Sequence, residues 1–255
     1  MKHNSESGIT TLEFDTWSEF VEYINSKLEY NHYVWRGQAD SSWIIEPTLD
    51  RVLRKIDKIG DTKTINEHLK RFKYASRGRR GNNPPIIESD NDWWAIGQHN
   101  NLLTPLLDWT KSPFVSAFFA FESSIKSSTD QREIVGMSKS TVVSKSNEIK
   151  KAHKSSSRPP IIEFIEPLSD ENARLVNQGG LFTRSPAGMD VETWIKKNFP
   201  KDDKKIRMWK MLIPEKEREV ALRSLNRMNI NYSSLFPDLF GASKFVNTDL
   251  EIMKY

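Results

Sequence analysis

Cysteine is absent from this chain of 255 residues, which excludes disulfide bridges and thiolate metal sites and is typical of proteins in a reducing compartment. Long hydrophobic runs are absent too, since the longest apolar stretch, around FVSAFFAF, is far too short to cross a bilayer. The amino-terminal residues MKHNSESGITTLEF lack the apolar segment of a signal peptide. We therefore predict a cytoplasmic protein without a membrane partner.

The familiar catalytic signatures are also missing. The chain has no GxxxxGK[ST] phosphate loop, no GxGxxG after a strand, no HExxH and no GxSxG. Its five histidines are scattered along the sequence, so no metal is expected. The chain therefore lacks the standard signatures of P-loop nucleotidases, dinucleotide dehydrogenases, zinc proteases and α/β-hydrolases.

The composition predicts one folded domain. Hydrophobic residues make up 37% of the chain, with eight Trp and thirteen Phe, which is enough for a core. Helical and strand patterns are mixed without regular βαβ repetition, so we predict an α+β fold, a single mixed domain with a central, largely antiparallel sheet flanked by helices. Residues 1–10 are predicted to be a flexible tail, and residues 11–255 the domain.

Charge leaves two interpretations open. The formal net charge of +4 and the pI near 9.1 fit either an anionic partner or a mixed-charge, solvated surface, and we favour the second. Two basic segments, at residues 76–81 and 139–158, could contact nucleic acid. The Ser- and Lys-rich stretch 137–160 is predicted to form a loop.

The most informative run is QHNNLLTPLLDWT, residues 98–110, because polar groups interrupt an apolar stretch. Such a segment either braces a core or builds a site, since buried polar groups need hydrogen-bond partners. Ser112 and Pro113 then indicate the start of a helix, with Ser112 as its cap.

Arg36 stands near the end of a predicted strand, in the segment Trp35-Arg36-Gly37-Gln38. Its guanidinium group could hold a phosphate or carboxylate, or it could form a structural pair with Asp108. Gly37 ends the strand or allows another group to approach closely.

The run itself supplies four further candidates, each with a structural alternative. His99 could bind a ligand or act as a general base, or it could be a boundary residue. Thr104 could bind a ligand or only favour a strand, and Asp108 could be an acid or base, pair with Arg36 or hold the loop backbone. Trp109 lines either a pocket or the core.

Gln178 precedes the Gly179-Gly180 turn and is a candidate for orienting a ligand, although a plain turn between helix and strand explains the glycines equally. Thr183 follows this turn.

Three segments together resemble the FRG domain family, named for a Phe/Tyr-Arg-Gly motif. Here the motif is Trp35-Arg36-Gly37, with Trp as the aromatic residue. The family pattern QHYGLPTRLLDWTxSPLVALFFA appears as QHNNLLTPLLDWTKSPFVSAFFA, and RLVNQGGLFT and SLFPDL resemble later family segments. The resemblance covers about residues 30–245, and Pro105 replaces the family's Arg.

This resemblance implies an effector of bacterial or phage conflict, such as an antiphage toxin. The order of elements also resembles ADP-ribosyltransferases, so the fold could share their arrangement and the cofactor could be NAD. The implied activities are ADP-ribosyl transfer to a macromolecule and NAD hydrolysis.

The same resemblance implies particular residue roles. The implied catalytic residues are Arg36, His99 and Gln178. The implied cofactor-binding residues are Arg36, Gly37, Gln38, His99, Thr104, Asp108, Trp109 and Thr183. The alternative is a non-catalytic module that binds a nucleotide, nucleic acid or a partner protein.

Overall fold

The computed structural model describes residues 2–167, 173–200 and 205–255, with side chains from Ser5 onward. The α-helices in these ranges are α1 (Trp17–Lys27), α2 (Thr48–Lys55), α3 (Thr62–Ala75), α4 (Asp90–His99), α5 (Pro113–Phe121), α6 (Lys139–Ala152), α7 (Ala173–Asn177), α8 (Val191–Asn198), α9 (Arg218–Arg227), α10 (Tyr232–Leu235) and α11 (Leu239–Glu251). The strands are β1 (Lys2–Glu6), β2 (Ile9–Glu13), β3 (Tyr33–Gln38), β4 (Leu106–Thr110), β5 (Gln131–Ser138), β6 (Glu163–Ile165), β7 (Gly180–Arg184) and β8 (Met208–Pro214).

The described strands form one sheet in the order β1-β2-β8-β5-β3-β4-β7-β6. Only β2 and β8 run parallel among these neighbours, and the other pairs are antiparallel. Helices pack on both faces, because alternate residues of each strand enter different apolar clusters. Trp35 joins one cluster and Val34 the other. The predicted α+β fold with a largely antiparallel sheet is confirmed.

The tail predicted for residues 1–10 is wrong for the part that the structure describes. Residues 2–6 form β1, which pairs with β2 in an antiparallel hairpin. Ser7 and Gly8 both have positive φ at the turn, the geometry that tight hairpins favour. The Gly8 carbonyl also accepts a hydrogen bond of 2.7 Å from the Arg207 N–H. The polar composition concealed a strand that is held by backbone pairing.

Helix α5 lies at the centre of one face of the sheet. Ser112 caps it by accepting from the Val115 N–H, and Pro113 follows at the first turn, as predicted. The last carbonyls of the helix and the adjoining residues accept hydrogen bonds from Arg132 and Arg218. These two cations therefore satisfy backbone groups that a helix end otherwise leaves unpaired.

The loop predicted over residues 137–160 is wrong for most of that stretch. Residues up to Ser138 complete β5, and α6 occupies Lys139–Ala152. Val142 is fully buried, and the Ser146 hydroxyl donates 2.9 Å to the Ile162 carbonyl. The Ser and Lys residues mostly cover the outer face of an amphipathic helix, so composition alone was misleading.

No helix in the described ranges is long and apolar enough to cross a membrane.

Candidate functional site

A cleft opens where β3 and β4 meet. These neighbours pair through one residue pair, Trp35 with Thr110, whereas β3 pairs with β5 along its whole length. The cleft has a volume of about 360 Å³. Its walls come from β3, β4, α5, the last turn of α4, α7 and Phe236. The predicted site residues that line it are Arg36, Gly37, His99, Asp108, Trp109 and Gln178.

Arg36 bridges the gap between the strands. Its Nη1 donates a hydrogen bond of 2.8 Å to the Asp108 main-chain carbonyl. The same Nη1 lies 4.0 Å from the Asp108 carboxylate, which is 62% exposed. Burial lowers the pKa of Arg36, Asp108 offsets part of that effect and Arg51 adds to it. The Arg36 Nε is buried without a hydrogen-bond partner among the described residues.

The structural pair predicted between Arg36 and Asp108 is therefore made mainly by the backbone of Asp108. Its carboxylate remains open to solvent at the cleft.

Gln98 links the polar residues of the QHNNLLTPLLDWT run. Its Nε2 donates 2.8 Å to the Asp108 carboxylate, and its Oε1 accepts from the Thr104 hydroxyl. That hydroxyl also accepts from the Leu106 N–H at 3.2 Å. Thr104 is fully buried. Thr104 thus holds the Gln98 side chain, and Gln98 in turn holds the Asp108 carboxylate.

Gln98 was missed as a site residue, although it opens the run that resembles the family pattern. Its role depends on a side chain ten residues away, which local spacing does not reveal.

His99 lines the opposite wall, next to a second charged pair. Arg174 donates 2.7 Å from Nε to the Asp238 carboxylate and stacks over the rings of Phe236 and Phe240, each with a centroid 5.3 Å away. Burial and the charge of Arg174 lower the pKa of His99, and Asp238 raises it in part. His99 thus favours its neutral form, which can accept a proton.

Gln178 serves both the cleft and the fold. Its Nε2 donates 3.2 Å to the Leu235 carbonyl, and its own main-chain carbonyl accepts 2.6 Å from the Thr110 hydroxyl. Asn177 makes a parallel bond to the Ser234 carbonyl. These hydrogen bonds hold the segments RLVNQGG and SLFPD together. The Gln178 amide nitrogen is engaged in this bracing.

Gly37 is explained by packing. A Cβ atom at this position would lie 1.9 Å from the Ser116 carbonyl oxygen and 2.5 Å from the Ala120 nitrogen. Helix α5 can approach β3 only over a residue without a side chain. The contact between α5 and β3 forms the floor of the cleft, which Gly37, Ser116 and Phe119 line.

Three predicted cofactor contacts lie away from the cleft wall. Thr104 is buried behind Gln98, as described above. Thr183 is fully buried and accepts 2.8 Å from the Trp109 indole N–H. Gln38 is buried and donates 2.8 Å to the Glu133 carboxylate. Thr104 and Thr183 thus support the cleft, whereas Gln38 lines the neighbouring cavity described next.

A neighbouring cavity of about 510 Å³ shares Arg36, Gly37 and Phe119 with the cleft. It is lined in addition by Arg51 and by Trp43, which is 48% exposed. Arg36 thus stands between two compartments, each with an aromatic wall. Pro105, where the family pattern has Arg, lines a different cavity.

The basic segment at residues 76–81 is largely engaged with aromatic rings. Arg77 lies over Tyr74, with 4.9 Å from its guanidinium carbon to the ring centroid, and Arg80 lies over Trp93 at 5.4 Å. Arg80 also donates 2.9 Å to the Pro85 carbonyl. Within the described residues, no group of three or more His, Asp or Glu side chains could hold a metal ion.

The family comparison matches one part of the chain, which supplies part of the cleft. Residues 31–129 match the family model of the FRG domain. The matched segment contains Arg36, Gln98, His99 and Asp108 together with β3, α4, β4 and α5. Comparison with curated proteins and with solved structures finds no match. The predicted resemblance to the FRG domain is confirmed for residues 31–129.

Proposed function

We propose that the cleft of this FRG domain binds a nucleotide through Arg36, with NAD as the first candidate. One observation carries the proposal: Arg36 is fixed by its bond to the Asp108 carbonyl, yet its Nε has no partner among the described residues. A guanidinium group that is held in place with a free donor is suited to phosphate oxygens.

The surroundings of Arg36 fit a ligand with two ends. The cleft on one side has Phe119 and Phe236 in its walls, and the cavity on the other side has Trp43. Both volumes lie in the range that small-molecule sites occupy. A dinucleotide could place its pyrophosphate at Arg36 and one ring system in each compartment. Arg51 adds positive charge at the same point.

NAD hydrolysis is the finer form of the proposal. The bond between the nicotinamide nitrogen and C1′ of its ribose would break, and its electron pair would leave with nicotinamide. A water oxygen would bond to C1′, and the water would release one proton, which neutral His99 can accept. The exposed Asp108 carboxylate would stabilise the cationic ribose in the transition state.

Transfer of ADP-ribose to a macromolecule would use the same cleavage with a different acceptor. The order Arg36, Thr104 to Phe119 and Gln178, which resembles ADP-ribosyltransferases, favours this route.

A non-catalytic nucleotide-binding module is the second candidate. It is favoured by Gln178, whose amide nitrogen bonds the Leu235 carbonyl, and by the bracing role of Gln98.

The test combines binding and turnover. Purified protein is incubated with NAD, and the melting temperature and the release of nicotinamide are measured, with and without cell extract. We expect NAD to raise the melting temperature of the wild type and of Arg79→Met, but not of Arg36→Met. Arg79 is exposed in the basic segment, so this control removes one positive charge away from the cleft.

Stabilisation by NAD without nicotinamide release would support the non-catalytic module. The absence of both effects in the wild type would contradict the proposal.

An effector role in conflict systems is tested in cells. We expect that expression in a bacterial host arrests growth, and that Arg36→Met at equal protein level relieves the arrest. Normal growth with the soluble wild type would argue against a toxin that acts on NAD.

A further inference from the structure

A second cavity, of about 520 Å³, lies apart from the cleft. Its walls come from α2, α3, the loop 156–160 and the residues that follow β7, and it shares no lining residue with the cleft. Polar side chains from all four segments face one space, although nothing in the proposed function uses them.

Two arginines stand at one end of this cavity. Arg158 is held by the backbone, since it donates 3.1 Å to the Ser185 carbonyl and 3.0 Å to the Arg184 carbonyl, and it also contacts Glu163 at 3.3 Å. Arg184 donates 2.9 Å to the Asn91 side chain. The two carboxylates that act on Arg184, those of Glu163 and Asp90, form ion pairs with Arg158 and Lys73.

Burial and the neighbouring charge of Arg158 lower the pKa of Arg184 to about 10, and Glu163 and Asp90 offset part of that effect. Because these carboxylates pair with other cations, the Arg184 guanidinium group, which donates one hydrogen bond to Asn91, has further donors for an anion in the cavity.

Two buried polar atoms of the lining residues have no partner among the described residues. Ser185 is 5% exposed, and its hydroxyl makes no hydrogen bond. Asp50 is 3% exposed, and its Oδ1 is also unpartnered, whereas its Oδ2 accepts 3.3 Å from the Gly188 N–H. Buried polar atoms are nearly always hydrogen-bonded in native proteins. Because Ser185 and Asp50 both line this one cavity, a single ligand in it can pair with both atoms.

We propose that this cavity binds a small phosphorylated sugar or polyol, with its phosphate at Arg184 and the Ser185 hydroxyl and one of its hydroxyl groups at the Asp50 carboxylate. Arginine and serine are suited to phosphate oxygens, and a carboxylate oxygen is suited to a sugar hydroxyl. The proposal concerns a ligand separate from the nucleotide of the cleft.

The test is calorimetric titration of the full chain with ribose 5-phosphate, inorganic phosphate and neutral ribose. We expect ribose 5-phosphate to bind best and ribose not to bind. Ser185→Ala is the decisive variant, because its hydroxyl has no partner and its removal should leave the melting temperature unchanged. It should weaken ribose 5-phosphate binding at least tenfold, and Arg184→Met should abolish binding.

Further variants separate the two ends of the ligand and the two cavities. Asp50→Asn keeps the shape of the side chain, and we expect it to weaken ribose 5-phosphate binding but not inorganic phosphate binding. Arg36→Met should leave both affinities intact. Undetectable binding of ribose 5-phosphate to the wild type would overturn the proposal. Equal affinity in Ser185→Ala, or loss of binding in Arg36→Met alone, would also overturn it.

Discussion

Arg36 meets the main chain of Asp108 more closely than it meets the carboxylate. Its Nη1 lies 2.8 Å from the carbonyl oxygen and 4.0 Å from the carboxylate oxygen. The β3–β4 gap is therefore closed by a side chain that takes the place of ladder hydrogen bonds. The carboxylate stays at the cleft, held by Gln98 and largely exposed.

The first prediction is an asymmetry between these two residues. Arg36→Met removes a charge-assisted hydrogen bond, so we expect it to lower the free energy of unfolding by about 2 kcal/mol. Asp108→Asn keeps the carbonyl and loses only an exposed charge, so we expect a loss of about 0.5 kcal/mol. Urea denaturation of both variants measures the difference. Equal losses would show that the carboxylate, and not the carbonyl, holds Arg36.

The second prediction concerns the contact of α5 with β3. Gly37→Ala would place a Cβ atom against the backbone of Ser116 and Ala120. Because these backbone atoms cannot move away without displacing α5, we expect the free energy of unfolding to fall by about 3 kcal/mol, the upper end for overpacking.

Gly78→Ala is the matched control for Gly37→Ala. Gly78 has φ of +72°, and a Cβ atom added there would meet no other atom within 4 Å. Gly78→Ala should lower the free energy of unfolding by about 1–2 kcal/mol, because only the left-handed conformation opposes a side chain there. Denaturation curves for both variants test the comparison, and a smaller loss at Gly37 than at Gly78 would contradict the close approach.

The third prediction concerns the buried hydroxyl behind the cleft. Thr104→Val keeps the shape but leaves the Gln98 oxygen and the Leu106 N–H without this partner. We expect the free energy of unfolding to fall by about 2 kcal/mol. We also expect weaker nucleotide binding, because Gln98 no longer fixes Asp108. Thr104→Ser keeps the hydroxyl and should bind like the wild type. If Thr104→Val binds the nucleotide as tightly as Thr104→Ser, the Thr104 hydroxyl does not position the cleft residues.

The fourth prediction is the effect of His99 on stability at low pH. Its pKa is lowered from the ordinary value of 6.5, so the folded protein binds this proton less readily than the unfolded chain. Its contribution to stability is present above pH 6.5 and is lost as the pH falls below that value. The free-energy difference between wild type and His99→Gln should therefore change below pH 6.5 and stay constant above pH 7.

Denaturation at several pH values between 5 and 8 measures this difference. Wild type that gains stability relative to the variant on acidification would show that the pKa is raised instead.

Much of the fold could be predicted because local signals agree with the final structure. Ser112 caps a helix at the place that the sequence indicates, and Tyr33–Gln38 forms the strand predicted around Trp35. Strand β1 and helix α6 could not be predicted, because polar residues dominate both segments. Strand β1 forms by backbone pairing with the adjacent β2, and α6 packs Val142 against distant segments.

The site could be predicted in part for the same reason. Arg36, His99, Asp108 and Gln178 stand in recognisable motifs, and all four line the cleft. The roles of Gln98 and Arg174 depend on partners in the folded chain, at Asp108 and Asp238. Thr104 and Thr183 look like ligand contacts in the sequence, but tertiary packing turns their hydroxyls to Gln98 and Trp109.

The central claim is that Arg36 is the anchor for a nucleotide. Calorimetric titration of NAD into wild type, Arg36→Met and Arg79→Met tests it most directly, with circular dichroism to show that each variant is folded. We predict saturable binding to wild type and Arg79→Met and a loss of at least tenfold in affinity for folded Arg36→Met. Equal NAD affinity in all three proteins, or no binding to the wild type, would contradict the claim.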